Sequence, residues 1–477
     1  MKSLEISITI IYLLGSISIG LYFRKRALSS VSDYWSAHGQ ISTGVNSFAI
    51  FAALASGATM LGNVGLSYKL GWAFAFPAVL GTTGGLILAS VLIAKPFRNF
   101  GKYTITDFLA FRFDNKAINI LVPLSIIGTY IAYLVGQLKA AGVVGSYLLN
   151  VNYITAAIIV WFVFTLYTSI GGMWAVTWTD FFQGLLMMLV IILSGIGVIL
   201  HFGGVGAVVT KGVQIFPGFG KSVLPLSSIA GFMLIPLTAW VIMPHTIMKV
   251  YGAKDPFSAR MAFNVSTIFW GLASVLLYVI VAAAARIIEP NLSNPDVAYL
   301  VVVDKLFGPV FKGLTIAAIF AAIMSTTSGQ LLACAASVSN DLYIRFFKRN
   351  ASDRLQIIVG IISIWVIGII AMILAINPPE LLTILQQIAL GYFASAVFLP
   401  IVLGIWWKGI TSSGALTGIV LGGGSYLGLV LFTKLPMMSH ILISLPIALI
   451  SIVGVSFVTK PSSEAVLKTV EGWHMNG

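Results

Sequence analysis

Residues 51–72 read FAALASGATMLGNVGLSYKLGW, an apolar stretch long enough to cross a membrane but interrupted by Gly57, Gly62 and Gly65. A spanning segment needs about 20 apolar residues and must satisfy its own backbone hydrogen bonds, which a helix does. Glycine weakens a helix and lets backbone carbonyl groups turn away from the helix axis. The stretch therefore predicts a membrane helix that is interrupted in its middle and presents free backbone oxygens there.

The composition extends this membrane assignment to the whole chain. Of the 477 residues, 58% are hydrophobic and 9% are charged, against about 25% charged in a soluble domain. Apolar runs recur from residue 4 to residue 458 with no polar domain between them, which favours one membrane unit. The first run, 4–23, is followed by Arg24, Lys25 and Arg26, and predicts a retained anchor, because a signal peptide carries its charge in front of a shorter core.

Thirteen apolar runs are predicted to span the membrane, and the fold class is therefore an all-α membrane protein. They are residues 4–23, 46–66, 72–94, 118–149, 153–167, 181–200, 229–248, 262–285, 314–342, 357–376, 381–406, 415–431 and 442–458. If the N-terminus is outside, the cytoplasmic segments hold eighteen Lys and Arg residues and the external segments hold eight. The positive-inside rule then favours an external N-terminus and a cytoplasmic C-terminus in the plasma membrane, which an odd number of spans allows.

The seventh span resembles the second, because Pro236 lies near its middle and Pro244 near its end. Proline removes a backbone donor and frees the carbonyl one turn earlier. Two interrupted helices five spans apart are what two inverted five-helix repeats produce, each opening at a substrate site. The alternative stays open, since Gly and Pro are common in membrane helices and often only permit close packing.

The ninth span contains AAIMSTTSGQLLACAASVSNDLY at 321–343, with four consecutive hydroxyl residues at 325–328. Such hydroxyls often bond back to carbonyls of their own helix, which is one interpretation. The other is a cation site, because a hard cation prefers oxygen ligands and an interrupted helix adds carbonyls to them. Ala52 and Ala55 are three residues apart in the second span, so their carbonyls are expected on one helical face.

Six segments carry a resemblance to a known family. They are SDYWSAHG (32–39), RNFGKYTITDFLAFRF (98–113), GGMWAVTWTDFFQG (171–184), MPHTIMKVYGAKD (243–255), the hydroxyl segment at 321–343 and GIWWKGITSSGALTGIVLGGG (404–424). Together and in this order they resemble the sodium:solute symporter family, which includes proline, pantothenate, monocarboxylate, sialic acid and sugar symporters. The resemblance implies a LeuT-like fold of two inverted repeats, residues 46–200 and 229–406. An additional helix and loop at 1–45 precede this core, and two helices and a short tail at 407–477 follow it.

The resemblance also implies a sodium site between the first and eighth helices of the core. Its ligands are expected to be the carbonyl oxygens of Ala52, Ala55 and Ala322 and the hydroxyl oxygens of Ser325 and Thr326.

Some members of the family hold a second sodium ion, for which Asp180 and Ser328 are the candidates here. Gly329 stands where a second serine would contribute, which counts against that ion. The competing interpretation of Asp180 is a helix N-cap at the start of the following span.

Lys139, in YLVGQLKAAGVV (133–144), lies well inside the fourth span. An ionisable group at that depth is expensive and indicates a functional site. We predict that Lys139 pairs with a substrate carboxylate and that Gln137 and Trp240 are the other substrate contacts. The alternatives are a lysine that carries a proton, one that replaces a cation, and one that bonds carbonyl groups within the protein.

These observations predict a sodium-driven symporter that imports a small organic solute, in particular a carboxylate such as a monocarboxylate, proline or pantothenate. Its expected partners are Na⁺, the solute and the lipid bilayer, with no nucleic acid, no cofactor beyond the coupling ion and no obligate protein partner. The alternatives are a proton-coupled symporter, a sodium symporter for sugars or sialic acid, and, less favoured, a channel or a membrane sensor. An enzyme is disfavoured, because the five histidines lack ligand spacing, no span holds paired carboxylates and Cys334 is alone.

Overall fold

The computed structural model describes residues 2–378 and 382–475, and within these ranges it contains helices and no β-strand. The first twelve α-helices are α1 (Lys2–Ala27), α2 (Val31–Ser36), α3 (Thr43–Leu54), α4 (Val64–Leu70), α5 (Trp72–Leu92), α6 (Ala94–Phe100), α7 (Ile105–Phe113), α8 (Lys116–Val144), α9 (Tyr153–Phe202), α10 (Val205–Ile215), α11 (Leu226–Ile242) and α12 (Pro244–Gly252). The remaining ten are α13 (Pro256–Val275), α14 (Ala282–Ile288), α15 (Ala298–Leu306), α16 (Pro309–Ala336), α17 (Asp353–Leu374), α18 (Leu382–Phe393), α19 (Leu399–Trp406), α20 (Ser412–Phe432), α21 (Ile441–Val458) and α22 (Glu464–Met475).

The number of membrane crossings agrees with the sequence prediction. The described residues contain eleven helical segments long and apolar enough to span a membrane, and one bent pair, Thr43–Leu54 with Ala58–Leu70. One of the eleven, α9, has 50 residues, which is about 75 Å at 1.5 Å per residue and far exceeds the bilayer core. Counting α9 as two spans gives thirteen crossings.

Helix α9 divides at Gly172, where the backbone adopts φ 48° and ψ −147°. A Cβ atom at this position would lie 2.7 Å from the Tyr34 carbonyl oxygen, so the contact with the preceding loop admits only glycine. The predicted spans 153–167 and 181–200 left residues 168–180 unassigned, and these residues are helical on both sides of Gly172. Apolar periodicity did not show this continuation because the aromatic and threonine residues there are less hydrophobic than the two spans.

The second span is interrupted as predicted. Helix α3 ends at Leu54, and the segment that follows begins with a π-helical turn at Ala58–Asn63 and departs at an angle of 59°. In the seventh span the interruption lies at Met243, which has extended dihedral angles (φ −60°, ψ 122°) before Pro244 opens α12. Proline disfavours helical dihedral angles in the residue before it, which accounts for this position. Pro236 instead remains inside α11 and packs against Gly81 of α5.

Loops that were predicted to share one side of the membrane are in contact. On the predicted cytoplasmic side, Thr104 Oγ1 donates to Asp341 Oδ1 at 2.8 Å and Arg112 Nε donates to the Gly404 carbonyl at 2.9 Å. On the opposite side, Tyr68 OH donates to the Glu289 carbonyl at 2.8 Å. The thirteen-span topology is therefore consistent with the three-dimensional contacts.

The outer helices keep apolar side chains exposed, as a lipid-facing surface requires. Ile11 of α1, Leu80 of α5, Ile362 of α17 and Ile450 of α21 are all among the exposed large hydrophobic residues. A soluble monomer rarely exposes contiguous apolar area on this scale. The hydrocarbon of a bilayer is the solvent that this surface fits.

Candidate sodium and substrate site

Two backbone carbonyl groups are freed where α3 ends. In a continuous α-helix, the amides of Ser56 and Gly57 would bond the carbonyls of Ala52 and Ala53. Here Ser56 N–H donates to the Leu54 carbonyl at 2.9 Å, and Gly57 N–H donates to Gln137 Oε1 at 2.9 Å. The oxygens of Ala52 and Ala53 are therefore available to groups outside their own helix.

The hydroxyl cluster of α16 lies against these carbonyls. Ser325 Oγ donates to the Ala52 carbonyl at 2.8 Å and to the Ala322 carbonyl at 3.2 Å. Thr326 Oγ1 donates to the carbonyls of Ala53 and Ala322, both at 3.2 Å. Five oxygen atoms from two helices that are far apart in the sequence thus converge, and all of these residues are buried.

The structure brings together four of the five predicted sodium ligands, namely Ala52, Ala322, Ser325 and Thr326. The fifth, Ala55, is the C-cap that follows Leu54 at the end of α3. Its ψ angle of 74° directs the backbone out of the helix. The direction of the Ala55 carbonyl is therefore set by the turn after α3. The sequence analysis had instead expected this carbonyl on the same helical face as that of Ala52. The sequence analysis did not predict that the Ala53 carbonyl belongs to this cluster. That carbonyl is free because the Gly57 amide, its partner in a continuous helix, donates to Gln137, which is 80 residues away in the chain.

One face of α8 connects the interrupted helix to two further elements. Tyr130, Tyr133 and Gln137 follow each other at spacings of three and four residues, so they share this face. Tyr130 OH lies 2.7 Å from His245 Nδ1, and Tyr133 OH accepts a hydrogen bond from Gln386 Nε2 at 2.6 Å. With Gln137 bonded to Gly57, the face contacts α12, α18 and the interruption after α3.

Several polar atoms around this face are buried and make no hydrogen bond within the described part of the chain. They are Gln137 Nε2, His245 Nε2, Gln386 Oε1 and both side-chain polar atoms of Gln330. Buried polar atoms are nearly always satisfied in proteins, so such a group indicates a place where a ligand or water bonds. The ring of Trp240, itself buried, lies 6.1 Å from the His245 ring. Gln137 and Trp240 are thus linked through the α8 face and His245, and their contact with a solute stays a prediction.

Lys139 lies on a different side of α8. Its ammonium is 3.9 Å from Asp296 Oδ2, at the start of the segment that leads into α15. The lysine side chain is 12% exposed and that of the aspartate 3%. Two residues correspond to about 200° around a helix, so Lys139 is directed away from the face that carries Gln137. The structure thus supplies a protein partner for Lys139, which the sequence did not reveal.

Asp180 lies inside α9 and not at a helix start, so the N-cap interpretation was wrong. Its Oδ2 accepts a hydrogen bond from Lys249 Nζ at 2.6 Å. The exposed fractions of the two side chains are 0% and 1%. Ser328, the other candidate ligand of a second sodium ion, donates its hydroxyl to the Ser325 carbonyl at 3.1 Å. Of these two candidate ligands, Asp180 thus has its negative charge balanced by the Lys249 ammonium group, and Ser328 has its hydroxyl bonded within its own helix.

Comparison with known proteins places this arrangement in a family. A sequence profile of the sodium:solute symporter family matches residues 34–422, which is more than half of the chain. The chain belongs to the sodium:solute symporter family. This sodium:solute symporter is therefore a secondary transporter and not an enzyme, and sodium-coupled symport is the activity that its membership supports.

Solved structures show the same fold as this sodium:solute symporter. A Na⁺-coupled sialic acid symporter in its substrate-bound outward-open state superposes with a TM-score of 0.84 at 20% sequence identity, covering 97% of this chain and 99% of that one. Mhp1, a nucleobase-cation-symport-1 family transporter in a closed conformation, superposes with a TM-score of 0.54 at 16% identity, covering 92% of this chain and 98% of that one. The expected LeuT-like fold with an inverted-repeat core is confirmed.

Proposed function

We propose that this protein uses the inward movement of Na⁺ to import a small organic carboxylate across the plasma membrane. The observation that supports this most strongly is the convergence of Ser325 and Thr326 on the carbonyls at the end of α3. The proposed sodium ligands are the carbonyl oxygens of Ala52, Ala55 and Ala322 and the hydroxyl oxygens of Ser325 and Thr326.

The chemistry of these oxygens suits sodium. A hydroxyl oxygen keeps lone pairs that can coordinate a cation, and carbonyl oxygens are neutral ligands of the kind that hard cations prefer. An ion at this position would bind α3 and α16 at once. It would therefore favour the conformation in which the two helices are close, and a ligand shifts an equilibrium only by such differential binding.

The solute is expected to bind next to the ion. Gly57 lies four residues after Ala53, and its amide is hydrogen-bonded to Gln137 instead of the Ala53 carbonyl. The sodium site and the buried polar region therefore share the interruption of the second span. We propose that Gln137 and Trp240 contact the solute at the interruption. Lys139 lies on another side of α8 beside Asp296, so we propose that it attracts the solute carboxylate from there as the solute approaches. An ammonium has three N–H donors, so Lys139 could hold Asp296 and a solute oxygen together.

The charge balance of the core supports a carboxylate. Among the described residues, the buried pair of Asp180 with Lys249 and the mostly buried pair of Lys139 with Asp296 are each neutral. A sodium ion bound by neutral oxygens therefore adds one positive charge to a region of low polarity. A monovalent carboxylate carried with the ion cancels that charge, which lowers the cost of taking both out of water.

The test is uptake of radiolabelled solutes into proteoliposomes that contain the purified protein. The panel includes monocarboxylates, proline and pantothenate, each with an inward gradient of sodium, potassium or choline. We expect sodium alone to drive accumulation of a carboxylate. A membrane potential should change the rate little for the monovalent anions, the monocarboxylates and pantothenate, and should increase it for proline, which is a zwitterion without net charge. Equal uptake with potassium or choline would contradict the sodium coupling.

A sugar or another neutral polyol is the second candidate. The buried region contains amide groups of Gln137 and Gln386 with unbonded polar atoms. An amide both donates and accepts, which suits a solute rich in hydroxyl groups. A neutral solute carried with one sodium ion moves net charge, so its uptake would increase with an inside-negative membrane potential. The same proteoliposome experiment therefore separates an anionic solute from a neutral one, and the labelled solutes themselves separate proline from a sugar.

A further inference from the structure

Lys249 and Asp180 form an ion pair in the interior of the helix bundle. The ammonium nitrogen of Lys249 lies 2.6 Å from Asp180 Oδ2, which is a direct charge-assisted hydrogen bond. Both side chains are buried, and Asp180 Oδ1 makes no other hydrogen bond within the described residues. A buried carboxylate requires a cation, because an isolated charge in the membrane interior is very costly.

The helices that carry this pair adjoin the proposed sodium site. Tyr167, on the same helix as Asp180, donates its hydroxyl to the Met324 carbonyl at 3.1 Å, next to Ser325 in the chain. On the other side, the Lys249 carbonyl accepts a hydrogen bond from Asn46 Nδ2 of α3 at 3.0 Å. The pair is thus held between the two helices that supply the sodium ligands.

Gly329 lies beside His245 and adds no hydroxyl to this part of α16. A Cβ atom added there would lie 3.4 Å from His245 Cβ, which is ordinary contact, so a side chain of serine size is not excluded by packing. His245 precedes Lys249 by one helical turn. The region therefore presents one carboxylate whose partner is an ammonium group rather than a set of hydroxyl ligands.

We propose that the Lys249 ammonium is a built-in cation that takes the place of a second sodium ion at Asp180, so that the transporter couples to a single sodium ion. A second ion at Asp180 would put two positive charges against one carboxylate in a region of low polarity, where their mutual repulsion is strong. This inference rests on the proposed function, since the single coupled ion is the one at Ser325 and Thr326. It makes Lys249 the residue that sets the number of sodium ions.

The test counts sodium ions bound at equilibrium to the purified full-length protein, using radioactive sodium in a mildly alkaline buffer where protons compete least for the carboxylate. We expect one ion per wild-type protein and two per Lys249→Met variant, because methionine fills the space of the lysine stem and leaves Asp180 in need of a cation. The matched control is Lys312→Met, which removes the ammonium of an exposed pair that is also 2.6 Å long, with Asp304. This control should bind one ion.

Two bound ions in the wild type, or an unchanged count in Lys249→Met, would overturn the inference. A wild type that binds no sodium would contradict the proposed function, but the inference would still require Lys249→Met to gain one ion. If Lys249→Met does not fold, the neutral double variant Lys249→Met with Asp180→Asn decides. It should bind as many ions as the wild type, and the loss of an ion would show that Asp180 holds sodium in the wild type.

Discussion

At the scale of single residues, Lys139 is the position where sequence and structure suggest different partners. The sequence argument assigns its charge to a solute carboxylate, and the structure places it 3.9 Å from Asp296. Substitutions at the two residues separate these roles. If the ammonium only holds Asp296, removing either member of the pair should impair transport to the same extent.

We expect Lys139→Met to raise the solute concentration for half-maximal uptake about tenfold, which corresponds to ~1.4 kcal/mol of binding free energy. The sodium dependence should change little, because the proposed sodium ligands are neutral oxygens on other helices. The control is Asp296→Asn, which leaves the ammonium in place and should preserve solute affinity. Equal losses in the two variants, measured as solute and sodium dependence of uptake in proteoliposomes, would assign Lys139 to the external loop alone.

At the scale of elements, the interruption after α3 connects the sodium site with the solute region. Gly57 packs so closely that an added Cβ atom would lie 2.6 Å from Ile323 Cγ1 of α16 and 2.9 Å from both Ala140 Cβ and Gln137 Oε1 of α8. Real side chains do not tolerate such distances, so a larger residue must move α8 or α16 away from the interruption.

Gly57→Ala is expected to reduce sodium-driven uptake more than tenfold, because about 1–3 kcal/mol of overpacking falls on the contact that holds both ligands. Gly44→Ala is the matched control, since Gly44 lies in the first turn of α3, before the interruption, and a Cβ atom there has nothing within 4 Å. Uptake should be normalised to the folded protein measured by size-exclusion chromatography. Full activity in Gly57→Ala would show that the close approach is not needed for transport.

Some elements were predictable from local chemistry, and others depend on contacts that the sequence does not display. Three glycines predicted the interruption of the second span, and a proline predicted that of the seventh. Only the structure showed that Pro244 determines its position while Pro236 packs inside α11. The effect of Pro236 depends on the neighbouring helix α5, and hydropathy carries no information about neighbours.

At the scale of the whole molecule, ion pairs on both sides of the bundle connect the first predicted repeat with the second. On the predicted external side, Lys139 pairs with Asp296, and on the predicted cytoplasmic side Arg345 donates to Asp107 Oδ1 at 2.8 Å. Transport by alternating access requires the two sets of contacts to open in turn. The absolute orientation, with the N-terminus outside, stays a prediction from the distribution of Lys and Arg.

The candidate site was predictable in its ligand types but not in its pairings. Four consecutive hydroxyl residues indicated oxygen ligands, and the family resemblance gave their partners on the second span. The pair of Asp180 with Lys249 joins residues 69 positions apart, and Gln137 reaches Gly57 across 80 positions. Such pairings follow from how the helices pack, so one sequence without a structure could not supply them.

The most direct test of the account is the sodium dependence of uptake in a Ser325→Ala, Thr326→Ala double variant. Thr327→Ala is the matched control, because the Thr327 hydroxyl donates to the Ile323 carbonyl of its own helix at 2.7 Å and to no carbonyl of α3 within the described hydrogen bonds. Removing two of the five proposed oxygen ligands should raise the sodium concentration for half-maximal uptake by tenfold or more. The reason is that each lost interaction costs about 1–2 kcal/mol of binding free energy. The sodium dependence of Thr327→Ala should remain like that of the wild type. An unchanged sodium dependence in a well-folded double variant would contradict the proposed site.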